Sequence, residues 1–372
     1  MSKTGKRLRF YKLKKIISIV GARPQFIKAA VVSRELRKSY NEVMVHTGQH
    51  YDYNMSDIFF EELDIPRPEY NLGISGGSHG KMTGEMLIAL EEVLLKENPD
   101  LVVLYGDTNS TLAGALAAVK LHIPVVHVES GNRFGTLESP EEVNRILTDH
   151  CSNLLLCCTE SAKRFLELEG LGKQSFVVGD PMYDAFLFYS DKVGDKRPER
   201  LVGIDGKPID DLPDNFYYLT CHRQENTDKL EHLTGILSAM EALDDKCIYP
   251  VHPRNQGKVI ELINQHKYEN IIFCNPVGYM MSIFMVKHCK KIVTDSGGLQ
   301  REAFFAKKPC VTVLDFVVWP ETMTGNCNQL CKPNKTDILL KLDSEVEFPS
   351  EQPFGDGHSA KLIVNKINEL IK

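Results

Sequence analysis

The sequence predicts an α/β protein made of two halves of similar size, each built around a parallel sheet. Three observations support this. At 372 residues the chain is longer than one hydrophobic core usually serves. Short apolar runs alternate with helical patterns, as where Leu101–Tyr105 breaks at Gly106 and a small-residue helical pattern follows over 110–121. The same alternation begins again after a charged, proline-containing segment at 191–214.

Composition and charge narrow the classes of function. The chain is 42% hydrophobic and 25% charged, with a mean hydropathy of −0.22, as in globular proteins. A net charge of −6 argues against nucleic acid as a partner. No run of eighteen apolar residues occurs, so we expect no membrane span. No apolar stretch follows the basic residues 1–14, which are expected to form a solvated tail rather than a signal peptide.

The cysteines indicate a reducing compartment. Most of the ten lie in or beside apolar runs, which predicts reduced core thiols and a cytoplasmic protein. Cys327 and Cys331 have a spacing that metal sites use, but no second His or Cys pair stands beside them. We therefore expect no metal ion.

The first strand is followed by a possible anion site. Lys15–Val20 runs into the segment GARPQFIK and a helix that reaches about residue 39. Arg23 and Lys28 near this helix start can hold an anionic ligand together with free backbone N–H groups, although either could equally be a surface cation. The fingerprint G-x-G-x-x-G is absent after this strand, and the glycines over 73–80 are expected to follow no strand. A bound NAD is therefore disfavoured.

The next segment contains a long loop. A strand at 42–47 and a helix at 54–63 are expected, then a glycine-rich connection that contains His79, and then a helix at 81–97. The loop can wrap a ligand, although a surface connection explains it equally well.

Three acids are predicted to meet at one edge of the first sheet. Asp107 follows the strand Leu101–Tyr105, Glu129 follows the strand Val125–Val128, and Glu141 lies in the first turn of a helix over 140–150. Ligands of parallel α/β sheets bind at the carboxyl ends of the strands, so these acids lie where chemistry is expected. Asp107 alone could simply cap the following helix. Three acids at one edge favour a catalytic role.

The rest of the first half suggests the domain limits. We expect a strand at 154–158, a helix ending near Gly170, a strand at 175–178 and a linking helix at 183–190. The first domain is then 15–190, the linker region 191–214, and the second domain 215–358. A final amphipathic helix within 359–372 is expected to pack back on the body.

Strands of the second half also end in polar motifs. The strand 215–220 precedes Cys221 and His222, the strand 247–251 precedes His252 and Arg254, and the run 271–273 precedes Tyr279. The strand 290–294 ends in Asp295, Ser296, Gly297 and Gly298 at a helix N-terminus.

The last of these motifs can bind a phosphate. The two glycines leave backbone N–H groups and the helix dipole open to an anion, with Ser296 as a further donor. Glu302, one turn into the helix, could accept the two hydroxyls of a ribose. Two glycines before a helix are a weak signal alone, but together with His222 they predict a nucleotide diphosphate site.

The ordered motifs resemble a known family. GARPQFIK, TGQHYD, YGDTNSTLAGALAA, HVESGNR, PEEVNR, TCHRQEN and DSGGLQREA, spread between about residues 15 and 340, are similar to those of the non-hydrolysing UDP-N-acetylglucosamine 2-epimerases. The resemblance implies a GT-B architecture, with two Rossmann-like domains facing across a cleft, and usually a homodimer. It also implies inversion at C2 of a UDP-linked 2-acetamido sugar, without NAD or metal.

The resemblance also implies roles for individual residues. Asp107, Glu129, Glu141 and His222 match the family's catalytic positions, whereas Arg23, Ser296, Gly297, Gly298 and Glu302 match positions that hold uridine diphosphate. Lys28, His252, Arg254 and Tyr279 are added as candidate ligand-binding residues from their places after strands. The C2 proton has no adjacent carbonyl, so the feasible path expels UDP from C1 to give a 2-acetamidoglycal, to which UDP adds back.

Departures from the family concern the substrate. Ala22 and Gln25 resemble the subgroup that acts on UDP-2,3-diacetamido-glucuronic acid. Apolar residues replace an arginine and a Thr-Glu pair that relatives tend to carry in the loop after the strand 310–313; they are Leu314, Phe316, Val317 and Val318. Tyr51 replaces the arginine of regulated bacterial members, so activation by a second substrate molecule is not expected.

Other classes of protein remain as alternatives. A hydrolysing 2-epimerase or a GT-B glycosyltransferase would share the architecture and the UDP site. A non-catalytic UDP-sugar-binding protein would leave some of the acids idle.

Overall fold

The computed structural model describes residues 13–49, 60 and 62–371. Its first half contains a parallel sheet with the strand order β3-β2-β1-β4-β5-β6-β7. The strands are β1 (Lys15–Val20), β2 (Asn41–His46), β3 (Tyr70–Asn71), β4 (Leu101–Tyr105), β5 (Val125–Val128), β6 (Leu154–Cys157) and β7 (Ser175–Val177).

The second half contains another parallel sheet. A short antiparallel ribbon of β8 (Leu201–Val202) and β9 (Pro208–Ile209) precedes it. The sheet has the order β12-β11-β10-β13-β14-β15. Its strands are β10 (Phe216–Thr220), β11 (Lys246–Pro250), β12 (Ile271–Cys274), β13 (Ile292–Thr294), β14 (Cys310–Thr312) and β15 (Asn328–Leu330).

Helices connect the parallel strands, as crossover connections require. In the first half they are α1 (Arg23–Leu36), α2 (His79–Glu97), α3 (Asn109–Lys120), α4 (Pro140–Cys151), α5 (Glu160–Leu168) and α6 (Pro181–Val193). In the second half they are α7 (Gln224–Thr227), α8 (Leu230–Glu241), α9 (Gln256–Gln265), α10 (Tyr279–His288), α11 (Gly297–Phe305), α12 (Lys335–Leu342) and α13 (Ser359–Leu370). Within the described chain, none of these helices combines the length and the apolar character that a bilayer crossing needs.

The strands of the first sheet are apolar on both faces because both faces belong to the core. Every residue of β4 and β5 is buried, because helices cover both sides of the sheet. The polar exceptions are satisfied by hydrogen bonds. His127 of β5, for example, pairs through Nδ1 with Asp149 at 2.7 Å and through Nε2 with the Gly106 carbonyl oxygen at 2.6 Å.

The final helix returns to the first half of the chain. The carboxylate of Asp184 on α6 accepts hydrogen bonds from the backbone N–H groups of Ser359 and Ala360, at 3.0 and 2.8 Å. These contacts satisfy donors at the start of α13, which would otherwise be unpaired. The chain therefore crosses between the halves twice.

The region before α2 contains a strand that was not expected. The glycines over 73–80 do follow a strand, the two-residue β3, so that expectation was wrong. The strand is short and polar, and only its pairing with β2 defines it. Most of the helix expected at 54–63 lies outside the described residues, and so does Tyr51.

Candidate functional site

A cavity of about 240 Å³ lies between the carboxyl ends of the two sheets. The first half contributes Arg23, at the start of α1, and the second half contributes most of the remaining wall. The candidate residues that line it are Arg23, His222, His252, Tyr279, Ser296, Gly298 and Glu302. Parallel α/β sheets bind ligands at this edge. Asp107, Glu129, Glu141, Lys28, Arg254 and Gly297 are not among the lining residues.

The start of α11 forms part of the cavity wall. Ser296 is the N-cap residue, and its Oγ accepts a hydrogen bond from the Leu299 N–H at 3.3 Å. A Cβ at Gly297 would lie 3.2 Å from Cγ1 of Val318, whereas a Cβ at Gly298 would have room. Gly297 is thus needed for packing against the loop, and Gly298 leaves the backbone N–H groups open to a phosphate.

Glu302 lies one turn further along α11 and is almost fully buried. Burial raises the pKa of Glu302 to about 7, although the positive charge of Arg23 opposes the shift. The buried hydroxyl of Tyr279 lies close to the Glu302 carboxyl group; burial raises the pKa of Tyr279, and this contact raises it further. A ligand hydroxyl that reached this wall would meet the Tyr279 hydroxyl and a carboxyl group with a pKa of about 7.

His222 is oriented by a buried carboxylate. Its Nδ1 lies 3.0 Å from Oδ1 of Asp295, and the backbone N–H groups of His222 and Arg223 both donate to the same carboxylate. Burial opposes ionisation of Asp295, but the hydrogen bonds from His222 and Arg223 lower its pKa to about 2. The rings of His222 and His252 stack with their centroids 5.7 Å apart. Two imidazoles therefore line one wall, and the first is fixed by a permanent negative charge.

Arg254 is not among the residues that line the cavity. It is exposed, and its guanidinium group lies 3.8 Å from the carboxylate of Asp228. A role in ligand binding would need this side chain to leave its ion pair.

Glu129 stands at the end of β5 in a strained, buried position. Its φ of 68° is in the left-handed region, which costs about 1–3 kcal/mol for a residue with a side chain. Its Oε2 lies 2.6 Å from Nζ of Lys28 and 2.8 Å from Nη1 of Arg301. Burial opposes ionisation of Glu129, but Arg301 and Lys28 lower its pKa to about 2. The carboxylate is charged at neutral pH and is a weak base in this arrangement.

Asp107 is held by the helix that follows β5. Its carboxylate is ion-paired with Arg145 on α4 and remains partly exposed. The same guanidinium group lies 2.5 Å from the carboxylate of Glu142, which is buried. Neighbouring Glu141 is exposed, and its Oε2 accepts a hydrogen bond from Ser139 at 2.7 Å. The structure thus links Asp107 to Glu142 rather than to Glu141.

Several site residues were not singled out from the sequence. They are Asp180, Glu142, Arg145, Phe134 and Arg301. Asp180 follows β7 as Asp107 follows β4, so its position at a strand end was a usable signal. Arg301 gave no such signal, because only the contact between the two halves brings it to Glu129.

Cys158, Glu129 and Asp180 place possible metal-ligand atoms within 4.8 Å of one another. Lys28 and Arg301 already pair with the two carboxyl groups, so this cluster is an ion-pair network rather than a metal site. Cys327 and Cys331 belong to no group of three such ligands in the part of the chain that the structure describes.

The apolar loop after β14 packs mainly inward. Leu314 and Trp319 are buried, and Val318 lies against Gly297. Phe316 reaches the first half of the chain, where its ring lies 5.3 Å from that of Phe134. None of these residues lines the cavity. The apolar residues that depart from the family pattern therefore pack around the site and do not line it.

Comparison with known proteins gives matches over almost the whole chain. The sequence profile described as UDP-N-acetylglucosamine 2-epimerase matches residues 34–368. The chain is 47% identical to a UDP-N-acetylglucosamine 2-epimerase homolog of Methanococcus maripaludis, over 96% of this chain and all of that protein. It is 46% identical to the UDP-2,3-diacetamido-2,3-dideoxy-D-glucuronate 2-epimerase of Pseudomonas aeruginosa, with the same coverage.

A solved structure supports the architecture. The UDP-GlcNAc 2-epimerase of Methanocaldococcus jannaschii, in complex with UDP-GlcNAc and UDP, superposes with a TM-score of 0.87 at 39% identity. The match covers 95% of this chain and 99% of that one. The predicted α/β class with GT-B architecture is confirmed. On both the sequence and the fold, the chain is a member of the UDP-N-acetylglucosamine 2-epimerase family of enzymes.

Proposed function

We propose that this chain inverts C2 of a UDP-linked 2-acetamido sugar without hydrolysing it. The observation that carries the proposal is the junction between α11 and the first sheet. Ser296, Gly298 and Glu302 line the cavity for a nucleotide diphosphate, while Arg301 of the same helix contacts Glu129 at the end of β5. The N–H groups proposed to bind the phosphates and the arginine that contacts Glu129 thus belong to the same helix.

The proposed chemistry follows from the poor acidity of the C2 proton. Removal of this proton becomes feasible when UDP leaves C1 at the same time, which gives a 2-acetamidoglycal and UDP. Negative charge then develops on the diphosphate, where the N–H groups at the start of α11, Arg23 and His222 are proposed to stabilise it. Glu302 is proposed to accept the ribose hydroxyls. Re-addition of UDP, with protonation from the opposite face, completes the inversion.

The carboxylates are proposed to act on the sugar. Asp107, Glu129 and Glu141 are the candidates for proton transfer at C2, and Lys28 sets the charge around Glu129. His252, Tyr279, Gly297 and Arg254 are proposed as further ligand-binding residues. Of these, His252 and Tyr279 have direct access to the cavity, and Gly297 supports its wall.

We further propose that the preferred sugar carries a second acyl-amino group. The relative at 46% identity is named for UDP-2,3-diacetamido-2,3-dideoxy-D-glucuronate. Gln25 does not supply a ligand contact here, because its buried side chain binds the N–H groups of Gly21 and Ala22 and the carbonyl oxygen of Tyr105. The proposal therefore depends on the relative named for that sugar. Turnover of UDP-2,3-diacetamido-glucuronic acid should exceed that of UDP-N-acetylglucosamine, and the reverse preference would contradict it.

The proposal also covers the domains, the oligomeric state and the compartment of the enzyme. We propose that 15–190 and 215–358 act as two domains that close on the substrate, and that the protein is a cytoplasmic homodimer. All ten cysteines are free thiols, which suits a reducing compartment. Sedimentation analysis of the purified protein tests the dimer.

Isotope exchange tests the reaction itself. The protein is incubated with each UDP-2-acetamido sugar in heavy water, and the recovered sugar is examined by NMR. Deuterium at C2 of UDP-sugar, together with the C2 epimer, is the expected result. Free sugar accompanied by UDP would instead indicate a hydrolysing enzyme. Sugar transfer that requires an added acceptor would indicate a glycosyltransferase.

A further inference from the structure

Arg301, which belongs to the second half of the chain, forms buried ion pairs with two acids of the first half. Its side chain is only 3% exposed. Nη1 lies 2.8 Å from Oε2 of Glu129 and 2.6 Å from Oδ2 of Asp180, and both acids belong to the first half. The guanidinium group also lies 4.0 Å from the ring centroid of Trp319. A charged side chain this deeply buried is retained only where partners hold it.

The surroundings of Glu129 contain few charged groups. Lys28 faces it from α1, Arg301 from α11, and Asp180 and the Cys158 thiol from the ends of β7 and β6. The loop 314–320 that packs on Arg301 has the sequence LDFVVWP and supplies no cation of its own. Arg301 is therefore one of two cations that face two carboxyl groups, and the only one of the two that comes from the second half.

We propose that Arg301 is a positioning residue for Glu129, which it fixes in place and keeps ionised by reaching across from the helix that carries the diphosphate site. Because Lys28, Asp180 and Glu129 all belong to the first half, the second cation reaches Glu129 only when the halves meet. The charge state of Glu129 is thereby linked to closure of the cleft. Arg301 is not among the residues that line the cavity, so it acts through Glu129 and not on the substrate.

The inference rests on the proposed function, since it assigns a means of control to the same reaction. It predicts a specific effect of pH. Without Arg301, Glu129 and Asp180 share one cation, and the pKa of Glu129 rises from about 2 to above its ordinary value, because burial then opposes ionisation with less compensation. A protonated Glu129 cannot accept a proton or hold its ion pairs, so a variant without this cation should fail progressively as the pH falls.

The test is the ratio of variant to wild-type rate for deuterium exchange at C2, measured between pH 5 and pH 8. For Arg301→Met the ratio is expected to fall with decreasing pH, by up to about tenfold for each pH unit below the raised pKa. Arg301→Lys keeps a cation and should give a ratio that is nearly independent of pH. If Arg301→Met does not fold, Arg301→Gln provides the uncharged variant. UDP affinity at pH 8 should change by less than about threefold in each folded variant, because Arg301 does not line the cavity; below pH 7 the comparison is avoided, because Arg301 also lowers the pKa of Glu302.

Arg34→Met is the matched control. Arg34 is a partly buried arginine that donates to the Leu63 carbonyl oxygen and lies over the ring of Phe188. Its loss should lower the melting temperature without altering the pH dependence. An active wild-type protein whose uncharged Arg301 variants give a pH-independent ratio would overturn the role of Arg301, and so would an equal pH effect in Arg34→Met. A wild-type protein that exchanges no deuterium with any UDP-2-acetamido sugar would instead overturn the proposed function.

Discussion

Phe134 and Phe316 touch across the cleft, with their ring centroids 5.3 Å apart and their planes at 44°. An arginine lies against each ring: the guanidinium of Arg145 is 4.4 Å from the centroid of Phe134, and that of Arg223 is 5.4 Å from the centroid of Phe316. Arg145 binds Asp107, and Arg223 follows His222 in the chain. The aromatic pair therefore joins the surroundings of two predicted catalytic residues that come from opposite halves.

Phe316→Ala should loosen this contact. An aromatic pair contributes about 0.5–1.5 kcal/mol beyond its buried area, so we expect turnover to fall by about three- to tenfold with little change in UDP affinity. Val317→Ala, on the same loop but exposed, is the control. Equal kinetics of the two variants would show that the cross-cleft contact has no part in turnover.

Asp107→Asn and Glu129→Gln should retain the fold and lose most activity. Removal of a positioned acid or base costs about 10²–10⁴ in rate. Steady-state kinetics and melting curves of the purified variants provide the measurement. Wild-type turnover in either variant would remove that residue from the proposed mechanism.

Glu141 and Glu142 are adjacent, yet opposite effects are expected. Glu141 is exposed, so Glu141→Gln should leave the melting temperature unchanged and lower turnover if the proposed catalytic role is correct. Glu142 pairs with buried Arg145 and accepts hydrogen bonds from the N–H groups of Phe134 and Gly135. Glu142→Gln should destabilise the protein by about 3 kcal/mol, because it leaves a buried charge with less compensation. Unchanged turnover of Glu141→Gln would contradict its assignment.

UDP binding should depend on pH through Glu302. The pKa of Glu302 is raised from its ordinary value to about 7, so the folded protein favours the protonated form. This contribution to stability is fully present below about pH 4.5 and is lost as the pH rises through about 7. Hydroxyl donors of the ribose favour the ionised form, so UDP binding should release a proton and weaken below pH 7. Calorimetry at pH 6 in buffers of different ionisation enthalpy measures this release, which Glu302→Gln should abolish.

UDP should protect the linker region from trypsin. Nζ of Lys287 on α10 donates hydrogen bonds to the carbonyl oxygens of Ser190 and Gly194, at 3.2 and 2.9 Å. Because these bonds join the second half to the start of the segment 191–214, closure of the second half should restrict that segment. Cleavage there is expected to slow at saturating UDP, whereas cleavage at exposed Lys267 should not change. Equal cleavage rates with and without UDP would argue against domain closure.

The sequence was sufficient to predict most of the strands, because parallel strands are buried on both faces and appear as apolar runs. Lys15–Val20, Leu101–Tyr105 and Val125–Val128 were predicted with their observed limits. Some helices were less visible. α10 is buried and apolar around most of its circumference, so the sequence shows almost no helical period there.

The sequence by itself also determined the family, because the order of the motifs along the chain can be seen without the structure. It placed acids at strand ends as well, because that position depends only on where each strand stops. Tertiary structure alone decided the partners, the burial and therefore the charge of those acids. Glu129 is paired with Lys28, which lies 101 positions before it in the numbering, and with Arg301, which lies 172 positions after it. Burial and charge depend on which side chains meet in space, and no spacing in the chain predicts that Arg301 crosses the cleft while Glu141 stays exposed.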